Sequence, residues 1–199
     1  PQTPNPKPQT PNPKPRKEDK SKNTIFISMA TDTSLDENSH IMSLVHVDED
    51  PADLFQVLEP VGEGSYGIVY KGIFKKNGVP IAIKIIPITG IDVRSSIKEM
   101  EILGKCKSPY IVTYHGAYYK RDHLWLVMEY CDAGSAYDII KIMQKPFNEI
   151  EIASILEFVL KGISYLHKIK LIHRDIKAAN ILLDIGGNVK IADFGVDLS

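Results

Sequence analysis

The chain has 199 residues, of which 43% are hydrophobic and 25% charged, with a formal net charge of −1. That balance belongs to one globular domain with a tail, and it excludes two large domains or a polycationic nucleic-acid binder. Its two cysteines, Cys106 and Cys131, sit in apolar segments without CxxC or Cys/His clustering, which excludes a disulfide framework or zinc site and fits a reducing compartment.

Residues 1–14 are two copies of PQTPNPK, followed by the basic run Pro15 to Lys20. Such a segment has no apolar payload to offset the entropy of ordering it. Residues 32–53 then turn acidic, with Asp32, Asp36, Glu37, Asp48, Glu49, Asp50 and Asp53, as in a solvated linker. Residues 1–54 are therefore expected to be a disordered extension, Pro-rich and basic, then acidic. PxxP occurs at Pro1/Pro4 and Pro8/Pro11, which suits a scaffold or SH3-type partner. No Lys or Arg stands at the orienting spacing, so a plain spacer is favoured. No apolar run approaches the roughly 18 residues of a membrane helix, and the Pro-rich start does not resemble a secretory h-region. A cytoplasmic protein that binds neither membrane nor nucleic acid is expected. The first residue is Pro1 rather than Met, as in a fragment or processed product.

From Phe55 the texture changes to strand-like runs, and Lys76-Asn77-Gly78 between two of them predicts a hairpin, because Asn and Gly tolerate positive φ. Val93, Ile97, Met100 and Leu103 predict a helix over residues 91–105. Two further strand-like runs, IVTYHGAYY and HLWLVMEY, are parted by Lys120-Arg121-Asp122. A stripe of Ile152, Ile155, Leu156, Val159, Leu160, Ile163 and Leu166 then predicts a long helix from Glu149 to His167. Strands, one helix, more strands and a long helix make an α+β fold with segregated parts.

Three constellations carry chemistry. Gly62-Glu63-Gly64-Ser65-Tyr66-Gly67-Ile68-Val69 is a GxGxxGxV, whose glycines let backbone N–H groups approach phosphate oxygens. The strand-like Ile68-Val69-Tyr70 after the third glycine favours a hairpin over the strand-to-helix turn of dinucleotide-binding folds. Lys84 stands in the apolar run Ile81 to Ile86, either as an edge residue snorkelling to solvent or as a buried cation needing a carboxylate. Glu99 and Glu101 on the next helix are both candidates, and helical periodicity does not choose between them. In LIHRDIKAANILLD, His173-Arg174-Asp175 is followed by Lys177 and Asn180, a set able to supply a base, a phosphate contact and a metal ligand. Asp193-Phe194-Gly195 comes thirteen residues after Asn180.

In this order, GxGxxGxV, AIK, HRDxKxxN and DFG resemble the signature set of the eukaryotic protein kinases over Phe55 to Val196. LFQVLEPVGEGSYGIVYKG, SPYIVTYHGAYY, LWLVMEYCDAGSAYDII and LIHRDIKAANILL are similar to the sterile-twenty-like group, nearest its Hippo-type members. The resemblance implies an ATP- and Mg2+-dependent serine/threonine kinase acting on protein substrates in signalling. The implied fold is kinase-like, with a β-rich N-lobe and helix C over about 55–130 and part of a helical C-lobe over about 131–199. It favours Glu99 over Glu101 as the helix-C carboxylate.

The family's roles then fall on particular residues. Gly62, Glu63, Gly64, Ser65, Tyr66 and Gly67 would cover the ATP phosphates. Val61, Val69, Ala82 and Leu182 would sandwich the adenine, with Met128 as gatekeeper and the Glu129-Tyr130-Cys131 backbone bonding the base. Lys84, oriented by Glu99, would hold the α- and β-phosphates. Asp175 would accept the substrate proton, Lys177 would contact the γ-phosphate, and Asn180 and Asp193 would bind magnesium. The chain ends four residues after Gly195, and a domain truncated shortly after DFG is expected. Its continuation VDLS departs from the group's usual pattern. A kinase represented by a fragment, an inactive nucleotide- or partner-binding module and a product that barely folds all remain open, and the long helix is expected to leave a wide apolar face uncovered.

Overall fold

The computed structural model describes residues 43–64, 67–88 and 93–193. Six strands form the first sheet in the order β1-β5-β6-β4-β3-β2. They are β1 (Val45–His46), β2 (Phe55–Gly64), β3 (Gly67–Phe74), β4 (Val79–Pro87), β5 (Tyr114–Lys120) and β6 (His123–Glu129). Every pairing is antiparallel except that of β1 with β5. The β3–β4 hairpin turns at Asn77-Gly78 as expected. Gly78 takes φ 73°, and the Asn77 side chain accepts the Val79 N–H at 3.1 Å.

Helix α2 (Val93–Lys105) packs across this sheet through the spacing read in its sequence. Ile97 and Met100 join Ile86, Leu124 and Leu126 in one core, while Leu103 reaches the next core with Ile111, Val159, Leu166 and Ile191. Full burial of one such side chain stabilises by about 1.5–3 kcal/mol, so α2 is held on two sides.

Part of the expected acidic linker belongs to this lobe. Val45 is buried in the α2 core and pairs with Ala117, adding an edge strand. His46 stacks on Tyr118 at 4.9 Å. Asp50 caps helix α1 (Pro51–Leu54) by accepting the Ala52 N–H, and Lys120 Nζ donates to it at 2.6 Å. The expectation of a disordered extension therefore fails over 43–54, where the acidic residues Asp48, Glu49, Asp50 and Asp53 follow Leu44, Val45 and Val47, which pack into the core. Residues 1–42, with the PQTPNPK repeats, lie outside the described residues.

Beyond β6, β7 (Gly134–Ser135) opens helix α3 (Ala136–Met143), which the hydrophobic pattern does not announce. Its signal is local: Ser135 accepts the Asp138 N–H while Asp138 accepts from Ser135, a capping box. Helix α4 (Glu149–Lys168) starts on a second box, between Asn148 and Glu151. It buries Val159 and Leu166 but leaves Leu156 and Leu160 45% and 63% exposed, so the expected uncovered apolar face is present among the described residues. No described helix is long and apolar enough to cross a membrane. A 3-10 turn (Ala178–Asn180) leads into β8 (Ile181–Leu183), which pairs with β7 and β9 (Val189–Ile191).

Candidate active site

Strand β4 is buried on both faces, so the Lys84 side chain cannot snorkel. It is 1% exposed, between Ile83 at 0% and Ile86 at 2%. A buried ammonium needs carboxylates, and two converge on it. Nζ donates to Glu99 Oε1 at 3.0 Å and Oε2 at 3.1 Å, and to Asp193 Oδ1 at 2.8 Å. Burial alone would lower the lysine's pKa, but the two facing carboxylates outweigh it and hold the ammonium above its ordinary range. Glu99 itself is raised, by burial first and then against the pull of Lys84. The structure thus separates the two candidates left open by periodicity: Glu99 is buried on Lys84, whereas Glu101 is half-exposed.

A cleft of about 550 Å3 opens above this ion cluster. Val61 and Val69 from β2 and β3 line it, with Ala82 on β4 and Leu182 on β8 opposite. Met128, Glu129 and Cys131 border the strip between the two lobes. Gly62 and Glu63 reach the opening. Gly64 and Gly67 pair at the tip of the β2–β3 hairpin, and Ser65 and Tyr66 lie outside the described residues. A side chain at Gly67 would collide with the Ile85 carbonyl oxygen, so its glycine is needed for strand packing besides any approach to phosphate. Val112, Ser135 and Ala192 also line the cleft. They lie outside the recognisable motifs, although Ala192 immediately precedes Asp193.

The Glu129 carboxylate is taken up by protein partners at the cleft's edge. Oε2 accepts from Thr113 N at 3.1 Å and Oγ1 at 2.7 Å, and Oε1 lies 3.0 Å from Lys190 Nζ. Burial pushes this carboxyl up, but the Thr113 and Lys190 bonds prevail and lower it. Burial drives the Cys131 thiol up to about 12, so it is a packed thiol rather than a nucleophile.

The segment from His173 to Asn180 folds on itself at the cleft floor. Asp175 Oδ2 accepts from Lys177 Nζ at 2.7 Å and Asn180 Nδ2 at 2.9 Å. The Lys177 bond is the largest influence lowering its pKa. Asn180 Nδ2 also donates to the Asp175 carbonyl at 2.9 Å and the Asp193 carbonyl at 3.5 Å, tying both segments together. His173 Nε2 meets the Ala192 carbonyl at 3.0 Å, and its Nδ1 accepts the Asp175 N–H. That pairing assigns the proton to Nε2 of a neutral ring. Burial lowers the His173 pKa, against the pull of the Ala192 bond.

The donor set can be tested against a divalent cation. Among the described residues no group of three or more His, Cys, Asp or Glu could cage a metal. With Nδ2 fully used as donor, Asn180 has its carboxamide oxygen free of these bonds, and Asp193 brings a carboxylate to the same place through its backbone contact. One amide and one carboxylate oxygen suit Mg2+, which keeps waters and takes substrate phosphates rather than an all-protein cage. Asp193 adopts φ 57°, a left-handed conformation that Asp tolerates better than most residues.

A family model described as the protein kinase domain matches residues 55–197 of the chain.

Proposed function

Because the chain belongs to the protein kinase family, we propose that it is an ATP-dependent serine/threonine kinase, with residues 55–199 as its catalytic domain. The carrying observation is the convergence of Lys84, Glu99 and Asp193 under a cleft whose floor holds Asp175, Lys177 and Asn180. Lys84 binds the α- and β-phosphates, with Glu99 fixing its position. The Val61, Val69, Ala82 and Leu182 surfaces exclude water from the adenine, whose edge meets the Glu129-Tyr130-Cys131 backbone. Asp175 accepts a hydrogen bond from the substrate hydroxyl and takes its proton as that oxygen bonds to the γ-phosphorus, while the bond from the γ-phosphorus to the β,γ-bridging oxygen breaks and ADP leaves. Its lowered pKa keeps it ionised for that role, as an orienting acceptor rather than a strong base. Lys177, already on Asp175, neutralises the γ-phosphoryl oxygens. Asn180 and Asp193 would hold Mg2+, which when bound would offset negative charge on the transferring phosphoryl group.

Lys177, two residues after Asp175, supports serine/threonine over tyrosine specificity by resemblance. The quoted stretches support a place in the sterile-twenty-like group, of Hippo type. Two free, buried cysteines fit the reducing cytoplasm. The exposed Leu156 and Leu160 on α4 favour a second reading, a module that binds nucleotide or a partner without transferring phosphate. Transfer of labelled γ-phosphate from MgATP to a basic Ser/Thr protein, measured for the purified chain and its Asp175→Asn variant, tests both. Asp175-dependent transfer supports the kinase; ATP-dependent thermal stabilisation without transfer supports the module.

A further inference from the structure

A second cleft, of about 590 Å3, lies between residues 107–110 and one face of α4. Its floor is apolar and aromatic. Leu160 is 63% exposed, and Tyr110 and Tyr165 line the cleft, the Tyr110 ring packing edge to face on Phe158 at 6.0 Å. Its rim is basic: Lys107, Lys161 and Lys168 against the single acid Glu157, which Lys161 already engages at 2.6 Å. The Lys161 ammonium also lies over the Tyr110 and Phe158 rings. The cleft is firmly built, because Tyr165 Oη accepts the Lys107 N–H at 2.6 Å and ties the connection to α4.

An occupant must bring carboxylates and a few apolar side chains, and the chain carries such a segment. Residues 32–42, DTSLDENSHIM, contain Asp32, Asp36 and Glu37 with Leu35, Ile41 and Met42. Ser43 and Leu44, just before β1, are helical, and the chain before them is long enough to reach the cleft. β1 runs parallel to β5 with Val45 opposite Ala117, so the chain before Val45 enters from the Tyr114 end of β5. Tyr110, on the cleft, stands seven residues before Ala117, a path of at most about 23 Å when extended. Eleven residues can span about 36 Å. Leu44 and Tyr114 pack on the same core, which fixes the point of departure.

We propose that residues 32–42 dock in this groove of their own chain, their carboxylates on Lys107, Lys161 and Lys168 and their apolar side chains on Leu160 and Tyr110. The bound segment would continue the β1 attachment down onto α4, joining the two lobes. The proposal does not depend on phosphotransfer, since its readout is structural.

Zero-length carbodiimide cross-linking of the full chain, with peptides of the monomer band mapped by mass spectrometry, tests it. Cross-links from Asp32, Asp36 or Glu37 to Lys107, Lys161 or Lys168 are expected, with loss at high salt. They should also disappear in an Asp32→Asn/Asp36→Asn/Glu37→Gln variant. Hydrogen exchange of residues 157–168 should quicken in that variant and in a chain lacking residues 1–42. Cross-links scattered evenly over other lysines, links found only in dimers, or exchange indifferent to the deletion would overturn the proposal. A Lys161→Glu/Lys168→Glu variant should lose the links and regain protection when Asp36→Lys/Glu37→Lys is added, and failure of this charge swap also counts against it.

Discussion

Lys84 Nζ lies 2.8 Å from Asp193 Oδ1 although 109 residues separate them, so one ion pair joins the centre of the six-stranded sheet to the segment after β9. The same ammonium serves Glu99. Removing Lys84 therefore leaves a carboxylate buried without a cation, a loss of about 3–5 kcal/mol for a fully ionised partner. Glu99 can limit that loss by protonating, toward which burial already raises it. Lys84→Met is expected to abolish phosphotransfer and lower the Tm. Adding Glu99→Gln should restore most of the Tm and none of the transfer. A double variant no more stable than Lys84→Met alone would contradict the pairing.

The neutral His173 ring makes stability pH-dependent. Its folded pKa is depressed below the ordinary 6.5, chiefly by burial, so between that folded value and 6.5 the unfolded chain binds a proton that the folded chain refuses. Stability is then fully present above about pH 6.5 and falls as the pH drops through 6.5 toward the folded value. Denaturant titrations from pH 7.5 to 5.5 should show this slope, flattened in His173→Leu. An unchanged slope in that variant would assign it to other groups.

The Glu129 carboxylate holds Thr113 and Lys190 together at the strip joining the lobes. Glu129→Ala frees that strip and strands a lysine ammonium that is 11% exposed. KM for ATP should rise about tenfold, the equivalent of 1.4 kcal/mol, with kcat changed less, because the backbone proposed to meet the base is loosened while Asp175 is untouched. Steady-state kinetics at varied ATP reads the split, and a fall confined to kcat would refute it.

Val45, 4% exposed in the core shared with Ile97 and Met100, connects the chain before the glycine-rich motif to the helix bearing Glu99. Val45→Asp forces a carboxylate into that core, at a cost of at least about 2 kcal/mol. Hydrogen exchange along residues 97–103 should accelerate and transfer should drop, while Val45→Ile keeps both near the parent. Unaltered exchange in the Asp variant would mean that α2 does not rely on this edge strand.

Local signals in the chain were legible because they act over a few residues. Asn77-Gly78 dictates a hairpin through φ 73° at the glycine, and the stripe from Ile152 to Leu166 dictates α4. Helix α3 escaped a reading based on hydrophobic spacing because its start depends on two hydrogen bonds between Ser135 and Asp138. The docking of residues 43–54 was equally hidden. An acidic composition reads as solvated until Lys120 is brought to Asp50, 70 residues away in sequence.

The amino-acid sequence by itself determined the residue types of the site, their order and the resemblance they carry, because each motif is a short run whose backbone demands are local. Periodicity left Glu99 and Glu101 open and the resemblance favoured Glu99, which the tertiary structure places on Lys84; the tertiary structure alone decided that Lys84 is buried rather than snorkelling and that Asp193 completes the cluster. Those choices follow from sheet order and from the packing of α2 against the sheet. Long-range packing sets both, since a buried charge is tolerated only where distant segments bring it a counter-charge.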